Sequence, residues 1–200
     1  MKIIELIIDE ENEENQISAI SLVSNPAIEE NWIALKNQEV KFAEVDKEKR
    51  VILGAALIPN RPIYRKTEEG EEYFIFFNRE TVKKASEIFF VNGNQSNATL
   101  EHKYKLEGLT VVESWLIANK DKDKSSHYGM DLPEGTWMVS MKVDSDEIWN
   151  DYVKTGKVLG FSIEGMFSDR AEKSQDNSLN KELQAQDLLT KVLKIIKDEA

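Results

Sequence analysis

The sequence predicts an α+β domain rich in β-structure, built as a small mixed or antiparallel β-barrel with peripheral helices. Seven segments show the alternation or the β-branched and aromatic content of strands. They cover residues 2–8, 32–35, 50–58, 72–77, 109–117, 136–143 and 158–163. Two predicted helices, 79–91 and 145–154, lie among them without a regular βαβ repeat, which argues against a doubly wound fold.

The second predicted helix carries a start signal in its sequence. Asp144 stands where an N-cap is expected, and Glu147 follows three residues later, as in a capping box. We therefore expect the helix to begin directly after Asp144.

A change in composition divides the chain into a domain and a tail. Residues 1–167 have the length and apolar content of one domain, whereas "SDRAEKSQDNS" at 168–178 has the composition of a linker. In 179–200 the apolar residues recur at helical spacing, which predicts an amphipathic C-terminal helix. This helix is expected to pack on its own domain or on a second copy, or else to bind a partner.

Composition excludes several classes of function. The net charge of −11 argues against binding of nucleic acid, which needs clustered Lys and Arg. There is no apolar run of about 18 residues that would span a membrane, and the start of the chain turns acidic, unlike a signal peptide. We therefore expect a cytoplasmic protein. The absence of cysteine excludes disulfides, thiolate metal sites and a cysteine nucleophile.

The loop "DKDKSSHYG" at 121–129 has oxygen-bearing side chains at alternating positions, as calcium loops do. Such a loop also needs glycine at its sixth position and glutamate at its twelfth, where this chain has Ser126 and Leu132. We therefore expect a solvated loop, with neither a metal nor another cofactor. His127 lies in the same loop and is expected to be an ordinary exposed histidine.

Ser162 lies in "GKVLGFSIEG", residues 156–165, between Gly160 and Gly165. Glycines leave room for close approach of another backbone, as a nucleophile would require. The spacing is not that of a GxSxG nucleophile elbow, so a strand that ends in a turn is the competing interpretation.

Three further residues are candidates for a site around this serine. His102, in "LEHKY", sits at the end of a short apolar stretch, where scaffold meets solvent. Glu113, in "TVVESW", is flanked by large apolar residues and needs a partner, either a histidine or a lysine or arginine. Glu164 follows Ser162 by two positions and would share its face of a strand.

A longer stretch carries a family resemblance. The run from "GLTVVESW" to "GKVLGFSIEGMF", residues 108–167, closely resembles the XkdF-like serine proteases of tailed phages and prophages. The segments "LEHKYKLEG", "LGAALIPNRPIYR" and "SLVSNPAIEENWIAL" also resemble that family, so the similarity spans about residues 17–168.

The resemblance implies a fold and a set of catalytic residues. The family is related to prohead proteases, whose fold is similar to that of assemblin, a β-barrel surrounded by helices. It implies Ser162 as nucleophile and His102 as general base. In many prohead proteases an "SLVxxPA" element follows the nucleophile and is preceded by an acidic residue. Here the element comes at residues 21–27, as in a permuted order, and Ala19 occupies the acidic position. Glu113 is then the first choice for the third catalytic residue, Glu164 the second and His127 the third.

The implied function is that of a head maturation (prohead) serine endopeptidase. Its substrates would be the scaffold and the N-terminal region of the major capsid protein, cut inside the procapsid in the host cytoplasm. We expect a homodimer without a cofactor, self-cleavage in the linker, and a terminal helix that anchors the enzyme to scaffold or capsid protein. The alternative is a scaffolding or structural virion protein that keeps the protease fold without activity.

Overall fold

The computed structural model describes residues 2–9, 11–12, 14–27, 49–67 and 69–170, and the backbone of 33–35. Every element described below belongs to the unit Met1–Asp169. The predicted helix at 179–200 and most of the predicted linker lie outside the described residues. The first two linker residues, Ser168–Asp169, form a short strand.

The described chain contains many short strands and few helices. The strands are β1 Lys2–Ile7, β2 Gln16–Val23, β3 Ile33–Leu35, β4 Val51–Leu57, β5 Ile63–Lys66, β6 Glu72–Phe77, β7 Ala98–Leu100, β8 Tyr104–Leu106, β9 Leu109–Leu116, β10 Trp137–Val143, β11 Gly160–Met166 and β12 Ser168–Asp169. The helices are α1 Arg79–Val91, α2 Lys124–His127 and α3 Asp146–Ile148, which continues as a π-helical turn over Trp149–Val153. No helix among these residues is long and apolar enough to cross a bilayer.

The strands form three sheets, each of four strands. Their orders are β12-β1-β6-β5, β3-β4-β10-β9 and β11-β2-β7-β8. The β-rich α+β class is confirmed, but the described strands do not close into the predicted barrel. The physical reason is that each sheet ends in two edge strands, so no ladder of hydrogen bonds runs from one end of a sheet back to the other.

The core is built around the sheet that contains β4 and β10. All seven residues of β10 but Lys142 are buried, and in β4 all but Val51 are buried. Helix α1 packs on this sheet and on β2, with Phe89 in edge contact with Trp137 at 5.5 Å between ring centroids. Such an aromatic pair contributes about 0.5–1.5 kcal/mol beyond the burial of its area. This core supports the sheet that carries the candidate site.

The first predicted helix has the predicted bounds, and the second begins one residue later than predicted. Asn78 caps α1 by accepting a hydrogen bond from the Thr81 N–H at 2.7 Å. The predicted cap Asp144 is wrong, because Ser145 is the extended residue whose Oγ accepts from the Ile148 N–H at 3.3 Å. Asp144 lies outside the helix and donates its backbone N–H to the Gly108 carbonyl.

The sequence did not predict strand β2, which is an inner strand of the sheet β11-β2-β7-β8. It pairs with β11 in antiparallel fashion and with β7 in parallel fashion. The three-residue strands β7 and β8 form a hairpin on its other side. Strand β2 therefore joins β11, near the C-terminal end of the described residues, to the hairpin β7-β8.

Candidate active site

Three hydroxyl side chains lie in one row across the sheet β11-β2-β7. Ser162 is the cross-strand partner of Ser21, and Ser21 is in turn the partner of Thr99. Residues directly opposite one another in neighbouring strands point to the same face of a sheet. Ser162, Ser21 and Thr99 therefore share a face, with Ser21 fully buried and Ser162 half-buried.

Glu164 reaches across this face from β11. It lies two residues after Ser162, ahead of the register shift between Glu164 and Gly165, so the two side chains point the same way. Its Oε1 accepts a short hydrogen bond from Thr99 Oγ1 and lies 3.1 Å from His102 Nδ1. Ala19 is its cross-strand partner on β2, and the small methyl group leaves room for the longer carboxylate side chain.

His102 sits in the tight turn between β7 and β8. Glu101 and His102 both have positive φ, +51° and +56°, and the Lys103 N–H donates to the Leu100 carbonyl at 3.0 Å. Two successive residues with positive φ are the mark of a type I′ turn, which normally favours Asn, Asp or Gly. Neither residue here is a glycine, so neighbouring interactions have to hold the turn.

Those interactions come from the end of β2. The Glu101 N–H donates to the Leu22 carbonyl at 3.0 Å, and the His102 N–H donates to Ser21 Oγ at 3.0 Å. The Glu101 carboxylate in turn accepts from the Ser24 N–H at 2.7 Å. Three hydrogen bonds thus attach the turn to one strand end, and they orient the imidazole toward the face that bears Glu164.

The contact between His102 and Glu164 suits a general base. A carboxylate at Nδ1 favours the tautomer with the proton on that nitrogen and leaves Nε2 with a free lone pair. The imidazole is 42% exposed and the Glu164 side chain 27% exposed, so solvent or a substrate can reach the ring. No hydrogen bond joins His102 to Ser162 among the described residues, and a catalytic bond of this kind often tightens only when substrate is bound.

Glu113, the first choice for the third catalytic residue, is engaged elsewhere. It lies on β9, in the sheet of β4 and β10, and its Oε2 accepts from Lys124 Nζ and from Ser140 Oγ, each at 2.5 Å. These two hydrogen bonds, the one from Lys124 first, lower the pKa of Glu113 against the opposing effect of partial burial. Of the partners left open by the sequence, lysine is the one observed.

The loop that was expected to be solvated contains the short helix α2. Asp123 caps it by accepting from the Ser125 N–H at 2.8 Å and also accepts from the Trp115 indole at 3.1 Å. His127 lies at the end of this helix and is exposed, in edge contact with Tyr128. The structure does not bring His127 to His102 or to Ser162.

Within the described residues, no cluster of His, Asp and Glu could hold a metal ion.

Several contributors to this arrangement were not singled out from the sequence. They are Ser21, Thr99 and Glu101, which position His102 and Glu164 through hydrogen bonds. The one available signal was "SLV", the part of the resemblance that contains Ser21. Ala19, where the resemblance places an acidic residue, is the cross-strand partner of Glu164, so the Glu164 side chain projects from the directly opposite position on the neighbouring strand.

The family of the chain follows from comparison with known proteins. Residues 39–172 match a family of phage proteases, the one described as "Putative phage serine protease XkdF". Because this match covers more than half of the sequence, the chain belongs to that family. No curated protein and no solved structure matches it. The matched region includes Ser162, His102 and Glu164.

Proposed function

We propose that the chain is a head maturation serine endopeptidase in which Ser162 is the nucleophile, His102 the general base and Glu164 the carboxylate that orients the base. The observation that carries this proposal is the 3.1 Å contact between His102 Nδ1 and Glu164 Oε1 on the sheet face that bears Ser162. Membership of a phage serine protease family supports the class of reaction. Glu164 thereby replaces Glu113 as the third catalytic residue.

In the proposed reaction, Ser162 Oγ attacks the carbonyl carbon of a peptide bond. His102 Nε2 accepts the hydroxyl proton and later donates it to the leaving amine, while Glu164 stabilises the imidazolium that forms. Water then attacks the acyl-enzyme, with the same nitrogen as base, and releases the new carboxylate and the free serine. Thr99 helps by fixing the Glu164 carboxylate through its hydroxyl.

The proposed substrates are the scaffold and the N-terminal region of the major capsid protein, within the procapsid in the host cytoplasm. The protein is proposed to act as a homodimer. These assignments rest on the family resemblance, because prohead proteases act on such substrates.

The test is covalent labelling of the serine. Incubation with a fluorophosphonate should add the mass of one phosphonyl group to Ser162, located by peptide mass spectrometry. The Ser162→Ala variant should lose both the label and the processing of coexpressed capsid protein, by at least about 10⁴-fold in rate. Ser86→Ala, on the exposed face of α1, is the matched control and should keep both.

A second candidate is a scaffolding or structural virion protein that keeps the protease fold without activity. The observation in its favour is that no hydrogen bond joins Ser162 to His102 within the described part of the chain. A folded, dimeric sample that takes up no fluorophosphonate and leaves capsid protein uncut would establish this alternative.

A further inference from the structure

The row of side chains that begins at Ser162 continues onto a fourth strand. Thr99, the last hydroxyl of that row, has Lys105 of β8 as its other cross-strand partner. Directly opposite residues point to the same face of a sheet, so Lys105 projects from the face that bears Ser162 and Glu164. Alternation along β8 agrees with this, because the next residue, Leu106, is buried in the core whereas Lys105 is exposed. A cation therefore stands on the face of the proposed active site.

The charge of Lys105 is not compensated by its neighbours. Its side chain forms no ion pair and no hydrogen bond within the described part of the chain. Lys124, by contrast, is paired with Glu113 at 2.5 Å. Glu164, the carboxylate on the face of Lys105, instead lies 3.1 Å from the His102 ring nitrogen. The ammonium group of Lys105 is therefore available to a carboxylate that arrives from outside the chain.

The position of Lys105 relative to the proposed reacting groups indicates which part of a substrate it can contact. In the proposed reaction His102 protonates the leaving amine, so the substrate segment after the cleaved bond lies on the side of His102. His102 and Lys105 belong to the same hairpin, β7-β8, and three strand spacings separate β8 from Ser162 on β11. Adjacent strands lie about 4.8 Å apart, so an extended peptide spans the resulting distance of about 14 Å with about four residues.

We propose that Lys105 is a specificity-determining residue that binds an Asp or Glu side chain of the substrate, about three or four residues after the cleaved bond. The inference rests on the proposed protease function, because it takes Ser162 as the nucleophile and His102 as the group that protonates the leaving amine. It adds a substrate class, namely peptides with an acidic residue in the segment that leaves first. Because the ion pair forms at an exposed lysine, the expected selectivity is a few-fold.

The first experiment maps the cleavage of random dodecapeptides by mass spectrometry. Sites cut by the wild-type protein should favour Asp and Glu over Asn and Gln by about 2- to 5-fold at a position three or four residues after the bond. Lys105→Gln should abolish this preference, and Lys105→Glu should replace it with a preference for Lys and Arg. Lys83→Gln removes the same charge from the exposed face of α1 and should retain the acidic preference. Cleavage without acidic preference in the wild-type protein, or a preference that persists in Lys105→Gln, would overturn the proposal.

The second experiment separates this proposal from the proposed function, because it needs no catalysis. An NMR titration measures the binding of acetyl-Ala-Ser-Ala-Ser-Ala-Glu-Ala-Ser-amide and of its Gln counterpart to the full-length Ser162→Ala protein. The Glu peptide should bind about 2- to 5-fold more tightly at low salt, and Lys105→Gln in the same background should equalise the two affinities. At 1 M salt, where the Debye length is about 3 Å, the difference should disappear.

The outcomes of this titration are independent of cleavage. Equal affinities at low salt, or no binding of either peptide, would overturn the role of Lys105 and leave the proposed protease function standing. Preference for the Glu peptide, lost in Lys105→Gln, would retain the acid-binding role of Lys105 even if the wild-type protein cut nothing, a result that would overturn the protease.

Discussion

Glu164 and Glu113 occupy comparable positions in two different sheets. Each projects from a strand, each accepts a hydrogen bond from a hydroxyl on another strand, Thr99 or Ser140, and each contacts one nitrogen-bearing side chain. The difference lies in that last partner, which is His102 for Glu164 and Lys124 for Glu113. A lysine keeps its proton near neutral pH, whereas an imidazole can accept and return one. The same local geometry is therefore suited to catalysis in one sheet and to an ion pair in the other.

Replacing the nitrogen-bearing partner of each carboxylate should give the largest difference in activity between the two sites. His102→Asn removes the proposed base, and asparagine tolerates the positive φ of this position, so the turn should survive. We expect processing of capsid protein to fall by about 10⁴-fold or more. Lys124→Met removes the ion-pair partner of Glu113 and should leave the processing rate within about twofold of the wild-type rate. His127→Ala, the matched histidine control, should do the same. A gel-based processing time course measures all three, and unchanged processing by His102→Asn would refute its role as base.

Neutralising the carboxylates should give the next largest effect. Glu164→Gln keeps the shape of the side chain but favours the wrong tautomer of His102, which should lower kcat by about 10³- to 10⁴-fold. Glu113→Gln should leave kcat unchanged. Steady-state kinetics on a peptide substrate tests both, and circular dichroism establishes that each variant is folded. A larger loss of kcat in Glu113→Gln than in Glu164→Gln would instead identify Glu113 as the catalytic carboxylate.

Moving the carboxylate to the neighbouring strand should partly rescue activity. Ala19 and Glu164 are cross-strand partners, so an aspartate at position 19 would project from nearly the same place. We expect Glu164→Ala with Ala19→Asp to be about tenfold more active than Glu164→Ala alone, a gain of roughly 1.4 kcal/mol in transition-state stabilisation. Ala19→Asn in the same background is the control for shape. Equal rates for the Asp and Asn variants would exclude a charge effect.

The smallest expected effect is the change in the free energy of unfolding when Glu113 is replaced. Because folding lowers the pKa of this carboxyl below its ordinary value near 4.5, its contribution to stability is present above that pH and is lost as pH falls through the folded-state value. Glu113→Gln should therefore lower the free energy of unfolding at pH 7, by less than about 1 kcal/mol because the pair is half exposed and screened. Urea unfolding at pH 7 and pH 3 should show this difference shrink in acid. If the difference in free energy of unfolding between the two proteins grew in acid, the lowered pKa of Glu113 would be contradicted.

Parts of the fold could be predicted from the sequence because their signals are local. Strand β6 and helix α1 have the predicted bounds, since an aromatic run and a capped amphipathic stretch depend on neighbouring residues. Strand β2 was missed because its serines and alanine weaken the apolar signal. The short strands β7 and β8 exist through pairing with β2 and with each other, which no local pattern shows.

By itself, the sequence determined the class of the protein and two candidate catalytic residues. Family resemblance pointed to a phage serine protease and drew attention to Ser162 and His102, and the lack of cysteine narrowed the choice of nucleophile. Tertiary structure decided which carboxylate meets the histidine. Glu113 lies 11 positions from His102 in the sequence and Glu164 lies 62 positions away, yet the distant residue makes the contact. The physical reason is that strand register and the turn at His102 are set by hydrogen bonds between segments far apart along the chain.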